Sequence, residues 1–229
     1  MNENLRKIIA QAAKGGPDMR KARPSGHYRP PAEGLARARL VGYFEMGKHP
    51  EEFGENKVVD KVDLVFELSG PNHEPRKLDD GTLIPIRITV QENLSFDGDG
   101  RFLELFAAMN YAGKASHMAE LLGEPFIVEV FHRRSKDGKK TFPVLRDWTG
   151  YNVKRITVEV QPAITELRAF IWDLADKDMW DSIFIAGEYE ERKDDKGVVT
   201  HPARTKNVLQ ERIRTAKNWP AHPLAAVVA

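Results

Sequence analysis

Between Gly34 and Asp147 the hydrophobic period changes from two residues to a helical one and back again. Extended segments read at Ala36–Glu45, Lys57–Leu68 and Ile84–Val90. In the second, Val59, Val62, Leu64, Phe66 and Leu68 settle into alternation after a short irregularity, the mark of a half-buried strand. Pro85 places the start of the third at an edge or entry position, because proline offers no N–H to a ladder. A helix follows over residues 100–111, where Phe102, Leu105, Phe106 and Met109 share one face. A turn or two at His117–Leu122 stops at Gly123-Glu-Pro125. Two more strands read at Pro125–His132 and Thr141–Leu145. Three strands, a helix and two strands predict a mainly β (α+β) fold. Its expected form is a five-stranded OB-like Greek-key barrel with the helix between strands 3 and 4.

The flanks differ from this centre. Residues 1–33 are rich in Pro, Gly and Arg and predict a basic flexible arm. Residues 1–39 carry nine Lys/Arg against Glu3, Asp18 and Glu33, although the whole chain has a net charge of only +1. The barrel is expected to occupy residues 34–160, with a further strand over Val153–Val160. Residues 161–229 form a helical or irregular C-terminal extension, a candidate interaction surface. Within it, Glu166–Trp180 has partly helical spacing, and Trp180–Glu188 reads as a short β-run or buried loop. Glu188–Lys196 is surface, and Asn207–Asn218 is a basic amphipathic helix with Val208, Leu209 and Ile213 inward. The last ten residues read as a mobile tail.

Enzyme and cofactor signatures are sparse. The chain has no cysteine, which removes thiolate nucleophiles and Cys-based zinc sites. No phosphate-binding or dinucleotide glycine loop and no Gly-x-Ser-x-Gly elbow occurs. The seven histidines form no helical ligand pair. Asp97-Gly-Asp99 reads as a helix-entry turn, and Asp173, Asp176, Asp178 and Asp181 as a capped, solvated helix end. No apolar run approaches the ~20 residues that span a bilayer, and the N-terminus lacks a signal-peptide core. The expectation is a non-enzymatic binding module with no cofactor, no metal and no membrane partner.

Single strands bind OB barrels by stacking bases on aromatic rings beside a basic groove. The candidate stackers are Tyr43, Phe44, Phe131, Trp148 and Tyr151, with Tyr43 and Phe131 expected to be exposed. The candidate phosphate contacts are Arg37, Arg39, Arg87, Arg133, Arg134, Lys139 and Lys140. The last four belong to a hairpin tip whose turn is supplied by Asp137-Gly138.

The segments Gly34–Gly47, Lys61–Leu68, Leu94-Ser95 and Leu121–His132 resemble a phage family of OB-fold single-stranded DNA-binding proteins, over roughly residues 34–150. The resemblance implies coating of single-stranded DNA during phage replication and recombination, in the cytoplasm of an infected bacterial host. It implies phage replication proteins as partners and allows a homo-oligomer. An acidic C-terminal tail, frequent in such proteins, is missing here; the chain ends Ala225-Ala-Val-Val-Ala229. The alternative expectation is a virion structural or assembly protein that uses the arm and the extension for protein contacts. A nuclease built on the aspartates of 173–181 is a third.

Overall fold

The computed structural model of the chain describes residues 30–51, 57–98, 100–194 and 196–228. The basic arm expected over residues 1–33 therefore lies outside the described residues up to position 29. Strands β1 (Gly34–Pro50) and β2 (Val58–Ser69) come first, then a small hairpin of β3 (Arg76–Lys77) and β4 (Leu83–Ile84). Pro85 separates that hairpin from β5 (Ile86–Asn93). Helix α1 (Arg101–Met109) and a 3-10 turn at Met118–Leu121 precede β6 (Pro125–Arg134) and β7 (Thr141–Val144). A second small hairpin, β8 (Arg146–Asp147) with β9 (Gly150–Tyr151), leads into β10 (Val153–Arg155).

The main sheet runs β10-β6-β1-β2-β5, with β7 paired to β6. It is mainly antiparallel, and β5 is an edge, as Pro85 predicts. The expected closure into a barrel is not present: no ladder joins β5 to β7 among the described residues. Strand β7 is only four residues long and contains Pro143, which has no N–H to give a further neighbour. Side chains span the gap instead. Tyr151 Oη donates to Glu92 Oε1 on β5 at 2.5 Å, and Arg146 Nε lies 3.6 Å from the same oxygen.

The inner face of the sheet holds the first core. Ala36, Ala38, Leu40, Val62, Leu64, Phe66, Phe126 and Val128 pack against Phe102, Leu105 and Met109 of α1. Each large apolar side chain removed from water here contributes about 1.5–3 kcal/mol. The entry to β1 is held by two histidines. The His73 and His132 Nε2 atoms lie 3.0 Å and 2.7 Å from the carbonyl oxygens of Ala32 and Pro31.

A β-bulge at Val41 alters β1 half-way along. Leu40 faces Phe66 and Gly42 faces Val65, so Val41 has no opposite number on β2. One extra residue inverts the side chains that follow, until a second irregularity at Met46. Before it, Ala36, Ala38 and Leu40 point into the first core; after it Tyr43 does, and Phe44 and Met46 point outward. The outer face of this half is covered by the C-terminal residues, which build a second core around Phe44, Met46, Phe170, Trp180, Ile183, Ile213 and Trp219.

The C-terminal elements are β11 (Arg168–Phe170), α2 (Lys177–Ser182), an open ribbon of β12 (Glu188–Tyr189), β13 (Arg192–Lys193), β14 (Val199–His201) and β15 (Arg204–Thr205), and α3 (Val208–Arg214). Several sequence expectations change here. The strand expected over Val153–Val160 stops at Arg155. The helical spacing at Glu166–Trp180 resolves into β11, a 3-10 turn at Trp172–Leu174 and α2. Parallel pairing of Arg168, Ala169 and Phe170 with Gly42, Tyr43 and Phe44 overrides local spacing there. Val208, expected inward, is 48% exposed, whereas Ile213 is fully buried. The expected mobile tail instead forms 3-10 turns at Trp219–Ala221 and Pro223–Ala226, with Leu224 in the second core. His222 fixes that end: its Nε2 lies 2.8 Å from the Trp172 carbonyl oxygen, while Nδ1 accepts from the Leu224 N–H.

Gly47 is a close approach between the layers. Its φ is +74°, and a Cβ there would lie 2.3 Å from the Trp172 ring.

Candidate nucleic-acid interface

Part of the outer face stays open, and the β6–β7 hairpin is its centre. Phe126, Val128 and Val130 are buried inward, so Ile127, Glu129, Phe131 and Arg133 point outward. The register places Phe131 opposite Val144 and Arg133 opposite Phe142. Directly opposite residues of an antiparallel pair share a face. Phe131, Arg133 and Phe142 therefore form one surface, with Phe131 half-buried and Phe142 47% exposed. On the neighbouring strands Arg37 and Lys154 flank Ile127, and Leu35, 60% exposed, lies opposite Glu129.

The hairpin tip is a built turn. Ser135 Oγ donates to Asp137 Oδ1 at 2.5 Å, and Asp137 Oδ1 also accepts from the Lys139 N–H. The Lys140 N–H donates to Ser135 Oγ, and Gly138 takes the left-handed conformation with φ +69°. The Ser135 hydroxyl and Lys139 N–H hold the Asp137 carboxyl below its ordinary pKa, so it stays charged and the turn stays closed. Arg133, Arg134, Lys139 and Lys140 are all exposed on this fixed loop.

The structure divides the residues chosen from sequence. Arg37, Phe131 and Arg133 come together on the open face, and Arg134, Lys139 and Lys140 continue it along the tip. Phe44 lies in the second core, and three others are committed to contacts within the chain. Tyr43, expected to be exposed, is 1% exposed: the bulge turns it inward, where its hydroxyl donates to Glu45 Oε1 at 2.7 Å. Tyr151 gives its hydroxyl to Glu92. Arg39 donates to the carbonyls of Gly123, Val160 and Gln161, and so straps the segment after β10 across the sheet. Glu67 completes that strap by accepting from the N–H groups of Ile164 and Thr165 at 2.8 and 2.7 Å.

The remaining two stand apart. Arg87 is exposed on edge strand β5, opposite Glu67 and beside the strap. Trp148 is 94% exposed at the tip of the β8–β9 hairpin. That hairpin is pinned to α1, since the Tyr151 N–H donates to Glu104 Oε1, and Asp147 closes its turn on the Thr149 N–H and hydroxyl. Phe142, Leu35 and Lys154 were missed in sequence. For Phe142 a signal existed: a turn centred on Asp137-Gly138 brings it opposite Arg133.

The aspartates of 173–181 take structural roles in part. Asp176 caps α2 by accepting from the Met179 N–H, and Asp181 pairs with Lys177 at 2.5 Å. Among the described residues no group of three or more His, Asp or Glu is placed to hold a metal ion. No described helix is long and apolar enough to cross a membrane.

Comparison with protein families, with characterised proteins and with solved structures finds no match to this chain.

Proposed function

We propose that this chain binds single-stranded nucleic acid, with single-stranded DNA as the ligand, through the open face of its β6–β7 hairpin. The observation that carries the reading is the interleaving of Phe131 and Phe142 with Arg133 on one surface, beside a preorganised cationic tip. Rings of this kind stack bases irrespective of sequence, and the cations track the phosphates. The order β5-β2-β1-β6-β7, with α1 between β5 and β6, supports an open variant of the OB type, whose ligands lie along an outer face. Here the second core and the Arg39 strap cover the outer face of β2, which leaves the hairpin side for the strand. The resemblance to phage single-strand binders supports a role in phage DNA replication or recombination in the infected cell, without catalysis.

Titrating a dye-labelled oligo-dT with the protein at low and at moderate salt tests the reading. Saturable binding that weakens with salt is expected, because released counterions drive it. No binding at low salt would overturn it. A second reading, a virion assembly protein, draws support from Leu174 and Phe184, 71% and 53% exposed on the C-terminal layer. It predicts self-association with no affinity for single strands.

A further inference from the structure

Among the described residues, the ribbon between α2 and α3 buries none of its side chains from Phe184 to Arg204; every one is exposed. Its pairing is confined to Glu188–Tyr189 with Arg204–Thr205 and Arg192–Lys193 with Val199–His201. A two-stranded ribbon by itself is marginally stable, so one held clear of the core suits contact with something else. At its base sits one aromatic ring with two cations against it. Tyr189 lies directly opposite Arg204, whose Cζ is 5.1 Å from the ring centroid, and Lys206 Nζ is 5.6 Å away. The Lys206 N–H donates to the Gly187 carbonyl, which closes the base of the ribbon and holds the group together. Tyr189 remains 48% exposed, so a further planar group has access to it.

We infer that Tyr189, Arg204 and Lys206 form a second single-strand contact, remote in sequence from the hairpin face. Tyr189 stacks a base, and the guanidinium and ammonium take the adjoining phosphates. This inference rests on the single-strand reading above. It makes the bound length of a strand greater than the hairpin face alone would hold.

Anisotropy titrations with a short oligo-dT of about 8 nucleotides and a long one of about 30 test it, since one OB module occupies about 4–16. Tyr189→Ala combined with Arg204→Gln is expected to weaken the long oligomer about tenfold and the short one less than twofold. Tyr189→Phe, which keeps a stacking ring, is expected to match the parent. Tyr189 and Arg204 are exposed, so the melting temperature serves as a control on folding. If the parent binds both lengths and the double variant binds the long one equally well, the ribbon is not a strand contact and the hairpin reading stands. If the double variant loses only self-association, measured by light scattering, the ribbon is a protein contact and the inference falls. If the parent binds neither length, the single-strand reading itself has failed.

Discussion

Arg212 of α3 places Nη1 2.5 Å from Oδ2 of Asp63, a carboxylate 4% exposed on β2. Gln91 donates to the same oxygen at 3.0 Å. This ion pair joins the C-terminal layer to the sheet. Burial raises the Asp63 pKa, against the lowering effect of Arg212 and Gln91. The folded chain therefore holds that proton more tightly than the unfolded chain. Asp63's contribution is fully present below the ordinary carboxyl value of 3.8 and is lost as pH rises through the raised one. Arg212→Met strips the counter-charge and leaves a buried anion, which costs about 3 kcal/mol. Urea melts at neutral and mildly acid pH check this: the deficit should shrink on acidification as Asp63 takes up a proton. A deficit that does not change with pH would count against it.

Tyr43, buried, and Tyr151, half-buried, lie beside carboxylates, Glu45 and Glu92. Burial first, and then those carboxylates, push both phenols well above the ordinary value of 10.0. Their stabilising share is present below that value and is lost at still higher pH. Phenolate absorbance during an alkaline titration should therefore show two of the five tyrosines ionising only as the chain unfolds. Tyr151→Phe removes one hydrogen bond and is expected to cost about 1–2 kcal/mol.

Phe142 is half in water, so Phe142→Ala should leave the melting temperature close to that of the parent. Its effect on oligo-dT is expected to be about 1–3 kcal/mol, the worth of one stacked base. Replacing Lys139 and Lys140 by Gln should instead lower the slope of log affinity against log salt by about 0.7 for each phosphate that is no longer neutralised. Equal salt slopes in parent and variant would show that the tip does not touch the strand.

Gly47→Ala adds a Cβ at a left-handed position facing Trp172. Strain and overpacking together are expected to cost about 3 kcal/mol. Thermal melts report the loss, and Trp172 fluorescence should shift as its ring is displaced.

The strands of the sheet and α1 were legible because their periods are local properties. The ends of β2, β6 and α1 fall within one or two residues of those read from alternation and helical spacing. What was not legible depended on partners distant in sequence. Phe170 spaces like a helix residue but pairs with Phe44, some 126 positions away. Arg39 looks like a free surface cation, yet its acceptors lie at Gly123, Val160 and Gln161. The unbroken apolar run Leu40-Val-Gly-Tyr-Phe44 did carry a hint, since such a run suits a strand covered on both sides. For the open face, Arg133 and the tip cations were readable from the turn, whereas discarding Tyr43 required knowing about the bulge at Val41.

Val41 acts as a half-period phase shift in a two-beat pattern. Upstream the chain addresses one partner surface on the even beats; downstream it addresses two at once. Drawing Val41 into the ladder as a regular residue would not be a local lesion, because it would transpose inside and outside up to the second irregularity at Met46 and send Phe44 where Tyr43 belongs. For the same reason a fragment ending near residue 160 is not a self-sufficient module. It would present Phe44, Met46 and Val65 to water as a ready adhesive stripe, which residues 168–228 cover in the full chain.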